Sequence, residues 1–484
     1  MRHTLLSSTA LAALLAVTTP TLALADAETE ALRAQVKLLE KRLEQLEKKQ
    51  AAAPAAAPKT SYSAAPQIEN RVAILERKQE LAVEDAKAKA EKNPNVEIGS
   101  KGFALTSADK QYSLRMRAYA QASSRSFLDN SNTTSVNTFT VRSARPIIEA
   151  KMTDYFNGRI MLDFGGGNTR LLDAYMDFKP DPQSRLATLR LGKFKVPLGI
   201  ERWQSEQELL FAERGQTTNL VPFRDVGAML LGEVIPDQLE YQISVGNGAA
   251  DIGDPNTDTD NHRELTGRIF AHPLRWSDLG WARGLGLGVA GSVGKHTGTT
   301  AAPGLTTGYV TMGLSRYFTY NGTSVANGDQ WRVNPQAYYY NGPFSLLGEY
   351  ISNGQKLRNG TTDRVIKNDA WNAIATYVLT GEDASFDGVK PANSFDWKNG
   401  HWGAFEVAGR AGMLNVDDDV FPTFASLATS AKQASETSVG INWYLNNSVK
   451  LNLDYAVTKF DGGAAGGADR ETEKAVLTQA QFRF

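Results

Sequence analysis

From residue 112 to residue 123 apolar and small residues alternate with polar ones. Tyr112, Leu114, Met116, Ala118, Ala120 and Ala122 fall on one parity, and Ser113, Arg115, Arg117, Tyr119, Gln121 and Ser123 on the other. A period of two is the signature of a strand with two unlike faces. The pattern returns along the chain. Phe156, Gly158, Ile160, Leu162 and Phe164 oppose Arg159, Met161 and Asp163; Leu172, Ala174, Met176 and Phe178 oppose Asp173, Tyr175 and Asp177. Leu239, Tyr241, Ile243 and Val245 oppose Glu240, Gln242 and Ser244. Near the C-terminus Val439, Ile441, Trp443 and Leu445, then Val449, Leu451, Leu453, Tyr455 and Val457, repeat it. Glycine-rich clusters such as 165–167, Asn247-Gly248, Asn341-Gly342 and 461–463 punctuate these runs as turns. From about residue 96 onward the chain therefore reads as many strands of about 10 residues.

The N-terminal part follows different periods. Arg2 and His3 precede a mostly apolar stretch, Leu5 to Val17, and Ala23-Leu24-Ala25 offers a small-x-small cleavage site. Residues 1–25 thus read as a secretory signal peptide. In 26–50, Leu32, Val36, Leu39, Leu43 and Leu46 repeat at intervals of four and three, with Glu and Lys around them. This is a heptad seam, which needs a partner helix and so implies self-association. Residues 51–66 are rich in Ala and Pro and read as an extended linker. Ile68, Val72 and Leu75 restart the seam in 67–95, until Asn93-Pro94-Asn95 ends it. The remaining 96–484 is the strand-rich region.

Two closures suit two-faced strands: a soluble sandwich with apolar faces inward, or a membrane barrel with apolar faces against lipid and polar faces around a lumen. Small residues interrupt the apolar faces, which would leave voids in a packed core but not in lipid. Aromatics such as Tyr112, Phe156, Phe178, Trp443, Tyr455 and Phe460 fall toward strand ends, as interfacial girdles require. Alternation continues through Val476, Thr478, Ala480 and Phe482 to the terminal Phe484. These features favour an all-β, antiparallel transmembrane β-barrel preceded by a helical coiled-coil arm. Sixteen strands of about 10 residues would use about 160 positions and leave ample chain for loops, and barrels of that size enclose an aqueous channel.

Composition narrows the functions. Of the 484 residues, 52 are Lys or Arg and 53 Asp or Glu, a net charge of -1, which argues against a nucleic-acid partner. There is no cysteine, so thiol catalysis and cysteine-based zinc sites are excluded. Mean hydropathy is -0.34, and no run of about 18 apolar residues follows the leader, against a helical membrane protein. The five histidines show no paired-ligand spacing, and no nucleophile elbow, P-loop or dinucleotide motif sits between a strand and a helix. Asp254, Asn256, Asp258 and Asp260 have calcium-loop spacing, but Thr259 and Leu265 replace the required Gly and Glu, so an acidic loop is the better reading. Neither a cofactor nor bond chemistry is expected.

One stretch carries a family resemblance. Residues 189–203, LRLGKFKVPLGIERW, and 208–214, ELLFAER, resemble the GxFKxPFGxE…FxER segment of the phosphate-selective porin O/P family. Leu172 to Tyr175, Tyr377 to Glu382, Gly403 to Ala408 and Gly440 to Asn446 match in family order. The resemblance implies a homotrimeric, 16-stranded outer-membrane channel that passes small anions such as phosphate, with basic residues at its constriction. A terminal aromatic such as Phe484 resembles the signature read by the barrel-assembly machinery. Phosphate-specific members carry a dense arginine ladder and a lysine cluster. Here Glu201, Glu206, Glu208 and Glu213 follow directly on a basic first quarter, so anion passage is implied without strict phosphate selectivity.

In a narrow lumen with low-dielectric walls a few like charges concentrate counter-ions. Candidate channel residues are Arg115 and Arg117, then Arg145 and Lys151, Arg159 and Arg190, and finally Lys193 and Lys195. Asp173, on a lumen face, is a candidate for positioning a lysine or a phosphate hydroxyl. The segment 196–223 is too long for a turn and is expected to fold into the channel. Two other functions suit the same pattern: a non-selective diffusion porin, and a tether whose periplasmic arm touches peptidoglycan while the barrel anchors it amid lipid and lipopolysaccharide.

Overall fold

The computed structural model describes residues 65–128 and 135–484, together with the helical residues Lys41, Gln45 and Lys48. The expected signal peptide, most of the first heptad segment and nearly all of the linker lie outside the described residues. Helix α1 (Ala65–Lys92) occupies the second heptad segment, and its seam residues Val72 and Leu75 are exposed.

A hairpin, β1 (Asn95–Gly99) and β2 (Gly102–Thr106), leads into the barrel. Ascending and descending strands follow: β3 (Tyr112–Phe127), β4 (Thr138–Met152), β5 (Phe156–Asp163), β6 (Arg170–Phe178), β7 (Thr188–Lys195), β8 (Arg224–Ile235), β9 (Leu239–Gly246), β10 (Glu264–Ala271) and β11 (Leu285–Thr297). Two short strands, β12 (Tyr309–Val310) and β13 (Arg316–Phe318), pair within the next loop. The series resumes with β14 (Ser324–Asn341), β15 (Phe344–Asn359), β16 (Thr362–Val378), β17 (Ala404–Asn415), β18 (Ala431–Tyr444), β19 (Val449–Gly462) and β20 (Glu473–Arg483). Each strand from β3 onward pairs antiparallel with its neighbour, apart from the β12–β13 pair. β20 returns to β3, from Ala475 opposite Phe127 to Arg483 opposite Tyr119. The result is a closed barrel of sixteen antiparallel strands. β2 pairs with β3 at Ser113 to Met116, below the point where β20 ends, so the hairpin extends the sheet at one rim.

The end where most connections are short, such as 153–155, 236–238, 342–343 and 445–448, is the periplasmic one despite the longer 379–403 segment there, and the long loops 196–223, 247–263 and 298–323 lie at the other. Apolar residues point outward: Ile269, Val289, Val439, Ile441 and Leu453 are each about half exposed. Their polar neighbours point inward, where Asn334, Asn442 and Asp454 are at most 1% exposed. The inside-out alternation read from the sequence is thus the observed one.

The interior also departs from that pattern. Along β15 to β17, inward Ile351, Leu357, Ile366, Ala370 and Leu414 form an apolar cluster with Tyr309, Tyr317 and Phe318 of the 298–323 loop and Phe424 of the 416–430 loop. Loops folded into the barrel cover these positions, so apolar side chains are favoured there even on the lumen face. Phe460 belongs to this cluster, its ring centroid 5.8 Å from that of Tyr317, and is not part of an outer girdle. A register shift between β5 and β6 turns Leu172 inward, against Tyr119, Ile147 and Met161.

Candidate functional site

The 196–223 loop leaves β7 through Val196-Pro197 and turns at Gly199, whose φ of +71° lies in the region open to glycine. A single helical turn, Ile200–Trp203, follows. Backbone groups carried into a lumen must find partners there. The far wall supplies them. Asn334 and Glu349 accept from the amides of Gly199 and Ile200 at 2.9 and 2.8 Å. Asp454 accepts from the Ala212 amide at 2.8 Å, and Asn442 and Lys450 donate to the carbonyls of Leu210 and Leu209 at 2.9 Å each. Inward polar residues of β14 to β19 thus hold the loop instead of lining open water.

The loop's glutamates are also spent on the wall. Glu201 accepts from Arg410 at 3.2 Å, and Glu208 pairs with Arg483. Glu213 takes both Nε and Nη2 of Arg142, at 2.5 and 2.9 Å. Glu206 pairs with Arg145 and lies 3.6 Å from Arg142. Burial alone would raise the carboxyl pKa of Glu206, but Arg145, Arg142 and Arg214 outweigh it and hold the group well below the usual range. These four glutamates staple the loop to the wall, and two of them, Glu206 and Glu213, pair with arginines that also line the cavity beside it.

Between the loop and the β3–β8 wall lies a half-open cavity of about 390 Å³. Ten cations line it: Arg117, Arg142, Arg145, Arg159, Arg170, Arg190, Lys195, Arg202, Arg214 and Arg224. Among the described residues, six carboxylates come within ion-pair distance of them: Glu149, Asp163, Asp173, Asp177, Glu206 and Glu213. The cavity therefore keeps a surplus of four positive charges. Lys195 donates to the carbonyls of Trp203 and Gln204 at 3.1 and 2.9 Å, and among the described residues no carboxylate lies within ion-pair distance of it. Arg202 stacks 3.6 Å from the Phe223 ring centroid and donates to the Thr218 carbonyl at 3.1 Å.

The residues read from the sequence distribute as follows. Arg117, Arg145, Arg159, Asp173, Arg190 and Lys195 all line the cavity. Asp173 holds two arginines, Arg224 at 2.7 Å and Arg159 at 3.1 Å, and bonds neither Lys195 nor an open position. Arg115 and Lys151 lie nearer the periplasmic rim, where Lys151 pairs with Asp154 at 2.6 Å and Arg115 lies 3.9 Å from Glu97. Lys193 is corrected: in register it shares the face of Ala174 and Val226, opposite Arg190 and Gly192. The 247–263 loop covers it there, with Asp254 at 2.8 Å and Asn256 at 2.7 Å. Parity counted from Arg190 puts Lys193 on the other face, and the alternation breaks only beyond it, since Lys195 has the parity of Lys193 yet lines the cavity.

Sequence reasoning missed Arg142, Arg170, Arg202, Arg214 and Arg224. Arg142 sits at a register shift between β3 and β4 that breaks the alternation. Arg202 and Arg214 lie inside the motif-bearing run, but only the folding of the loop brings them to the cavity.

A closed sixteen-stranded barrel with an infolded, cation-faced loop defines a porin. The model of the family "Phosphate-selective porin O and P" matches residues 111–484, and the chain belongs to that family. Porin O of Pseudomonas aeruginosa is 24% identical over 420 residues, 79% of this chain and 91% of that protein. Among solved structures, the outer-membrane channel DcaP of Acinetobacter baumannii matches with a TM-score of 0.52 at 11% identity, over 77% of this chain and 97% of that one, and supports the fold. The protein is a porin of the outer membrane with a preference for anions.

Proposed function

We propose that the arginine cavity is where this channel selects its solute, and that the solutes are small oxyanions, phosphate among them. The observation that carries the reading is the surplus of four cations in one cavity between wall and loop. Guanidinium groups present two donors in a plane and match two oxygens of an oxyanion, whereas Lys195 acts as a point charge. Many of these arginines already share carboxylates, so an entering anion exchanges one partner for another and is not held so tightly that it cannot leave.

The same reading includes assembly as a homotrimer with one channel in each copy, as is usual in the family. It also includes docking of the C-terminus on the barrel-assembly machinery. Phe484 supports this: its backbone exchanges two bonds with Ala118, 3.1 and 3.0 Å, leaving the ring half exposed at the periplasmic rim. The helical arm is assigned to the periplasm, where peptidoglycan is within its reach.

Reversal potentials in a KCl gradient test the anion preference, and phosphate block of the chloride current tests the oxyanion. The reading expects a potential of the anion-selective sign and block by phosphate. A cation-selective potential, or a chloride current indifferent to phosphate, overturns it.

A further inference from the structure

A second cavity, of about 420 Å³, lies on the periplasmic side between the 272–284 turn, the end of β14 and the 379–403 segment. Its charge balance is opposite in sign to that of the arginine cavity. Arg185, Arg275 and Arg283 line it against Glu233, Asp237, Glu240 and Asp387, a formal balance of minus one.

A wall of side chains stands between the two cavities. Trp203, from the infolded loop, lines the first. The Arg268 guanidinium lies 5.6 Å from the Trp203 ring centroid and 4.6 Å from that of Phe270. Phe270 is 5.0 Å from Tyr338, and Tyr338 is 5.5 Å from Phe386, at an angle of 29°. Tyr338 and Phe386 line the second cavity. Glu240 fixes Arg268 within this wall at 2.6 Å, with Gln242 at 3.1 Å and Gln336 at 3.2 Å.

The 379–403 segment carries Phe386 to the wall from the periplasmic end. Ala384 and Val389 pack against Val378, Ala404 and Tyr444, and the Ala384 amide donates to the Gly342 carbonyl at 2.8 Å. Phe386 and Tyr338 pack against the apolar cluster that holds Ile200, Leu210 and Phe211 of the loop. The Gln204 side-chain amide donates to the Phe386 carbonyl at 2.8 Å and pins the segment to the loop. At Gly388, with a φ of +83°, a Cβ would overlap Glu208 Oε2, so only glycine lets the segment close this tightly. Rings packed in this way leave no room for water, and an apolar barrier stops hydrated ions.

We propose that this wall is a selectivity device: Phe386 and the rings beside it keep the acidic second cavity out of the ion path, so that ions crossing the constriction meet the cation surplus alone. The proposal rests on the anion-channel reading and deepens it by naming residues that protect the preference. A parallel passage lined by more carboxylates than arginines would concentrate cations and let them cross beside the anions. Phe386 is thus a positioning residue; it touches no solute in the sealed channel.

The test records the whole channel in planar bilayers under a KCl gradient and reads conductance and reversal potential. Phe386→Ala should raise the conductance and move the potential toward the cation side, and Phe386→Tyr, which keeps the ring, should give the wild-type values of both. Asp387→Asn should leave the potential of the sealed channel where it is, but in the Phe386→Ala background it should bring back part of the anion preference. Unchanged conductance in Phe386→Ala overturns the proposal, as does a larger current at the wild-type potential. A potential that moves on Asp387→Asn alone also overturns it, because the second cavity would then already lie in the ion path. That variant leaves the wall intact and gives its answer even where Phe386→Ala channels fail to assemble. A cation-selective wild type would overturn the anion-channel reading itself, whereas an anion-selective channel whose potential ignores Phe386→Ala overturns only this inference.

Discussion

Reversing one charge in the arginine cavity gives a direct measure of its role. Arg117 is the suitable position: it faces the lumen from β3, its side chain is one-third exposed, and it pairs with Glu149 at 2.6 Å. Arg117→Glu changes the cavity's balance by two charges in a water-bathed place, so little folding penalty is expected. A sphere of the cavity's volume has a radius of about 4.5 Å, which puts a lining charge about 6 Å from an ion at its centre. At that distance, with the dielectric of water, one unit charge contributes about 0.7 kcal/mol. Two units screened by about 0.1 M salt leave about 0.8 kcal/mol, or about fourfold in anion occupancy. Cation occupancy should rise by the same factor. The assay is the reversal potential across a bilayer with a tenfold KCl gradient, for wild type, Arg117→Glu and Arg117→Lys. Arg117→Glu should move the potential strongly toward the cation side, and Arg117→Lys should stay near wild type. An Arg117→Glu channel with the wild-type potential would show that the ion path bypasses this cavity, and the electrostatic argument would fail with it.

The other predictions concern the parts that hold the cavity in place. Arg410→Met leaves Glu201 and Glu436 buried without their cation, which typically costs about 3–5 kcal/mol, so the thermal unfolding midpoint should drop clearly. Glu206→Gln releases Arg145 and Arg142 from the loop, and single-channel records should become noisier and more conductive; a quiet, unchanged trace would mean that the loop is held without it. Because the Glu206 carboxyl is held below the usual range, its contribution is complete above its ordinary value near 4.5 and is lost only as pH falls through the lowered value. Conductance should therefore be steady from neutral pH down to that value and change only under stronger acid. Deleting residues 27–95 should leave the conductance of the assembled channel as it is, and loss of the current would place the arm in the pore.

Much of the architecture was legible because a strand's period is short and local. Alternation over 112–123 and 449–457 states which side chains meet lipid and which do not, and that suffices to call a membrane barrel. The long segment 196–223 between two such runs announced an infolded loop, and most of the arginines on regular strands could be assigned to the lumen from parity alone. Parity failed where strands shift register, at Arg142 and Leu172, and at the loop-proximal end of β7, where Lys195 lines the cavity although it shares the parity of Lys193.

The sequence by itself thus determined the closure, the inside-out polarity and the place of the constricting loop, because these follow from which neighbours along the chain are apolar. It could not determine what the charges do. Glu201, Glu206, Glu208 and Glu213 look in sequence like a negative offset to the basic strands that precede them, and the tertiary structure makes them the fastenings of the loop. Coulomb energy depends on distances through space, and those were decided when the loop crossed the lumen to Asn334, Glu349 and Asp454, leaving Arg202 and Arg214 beside arginines that stand far from them along the chain.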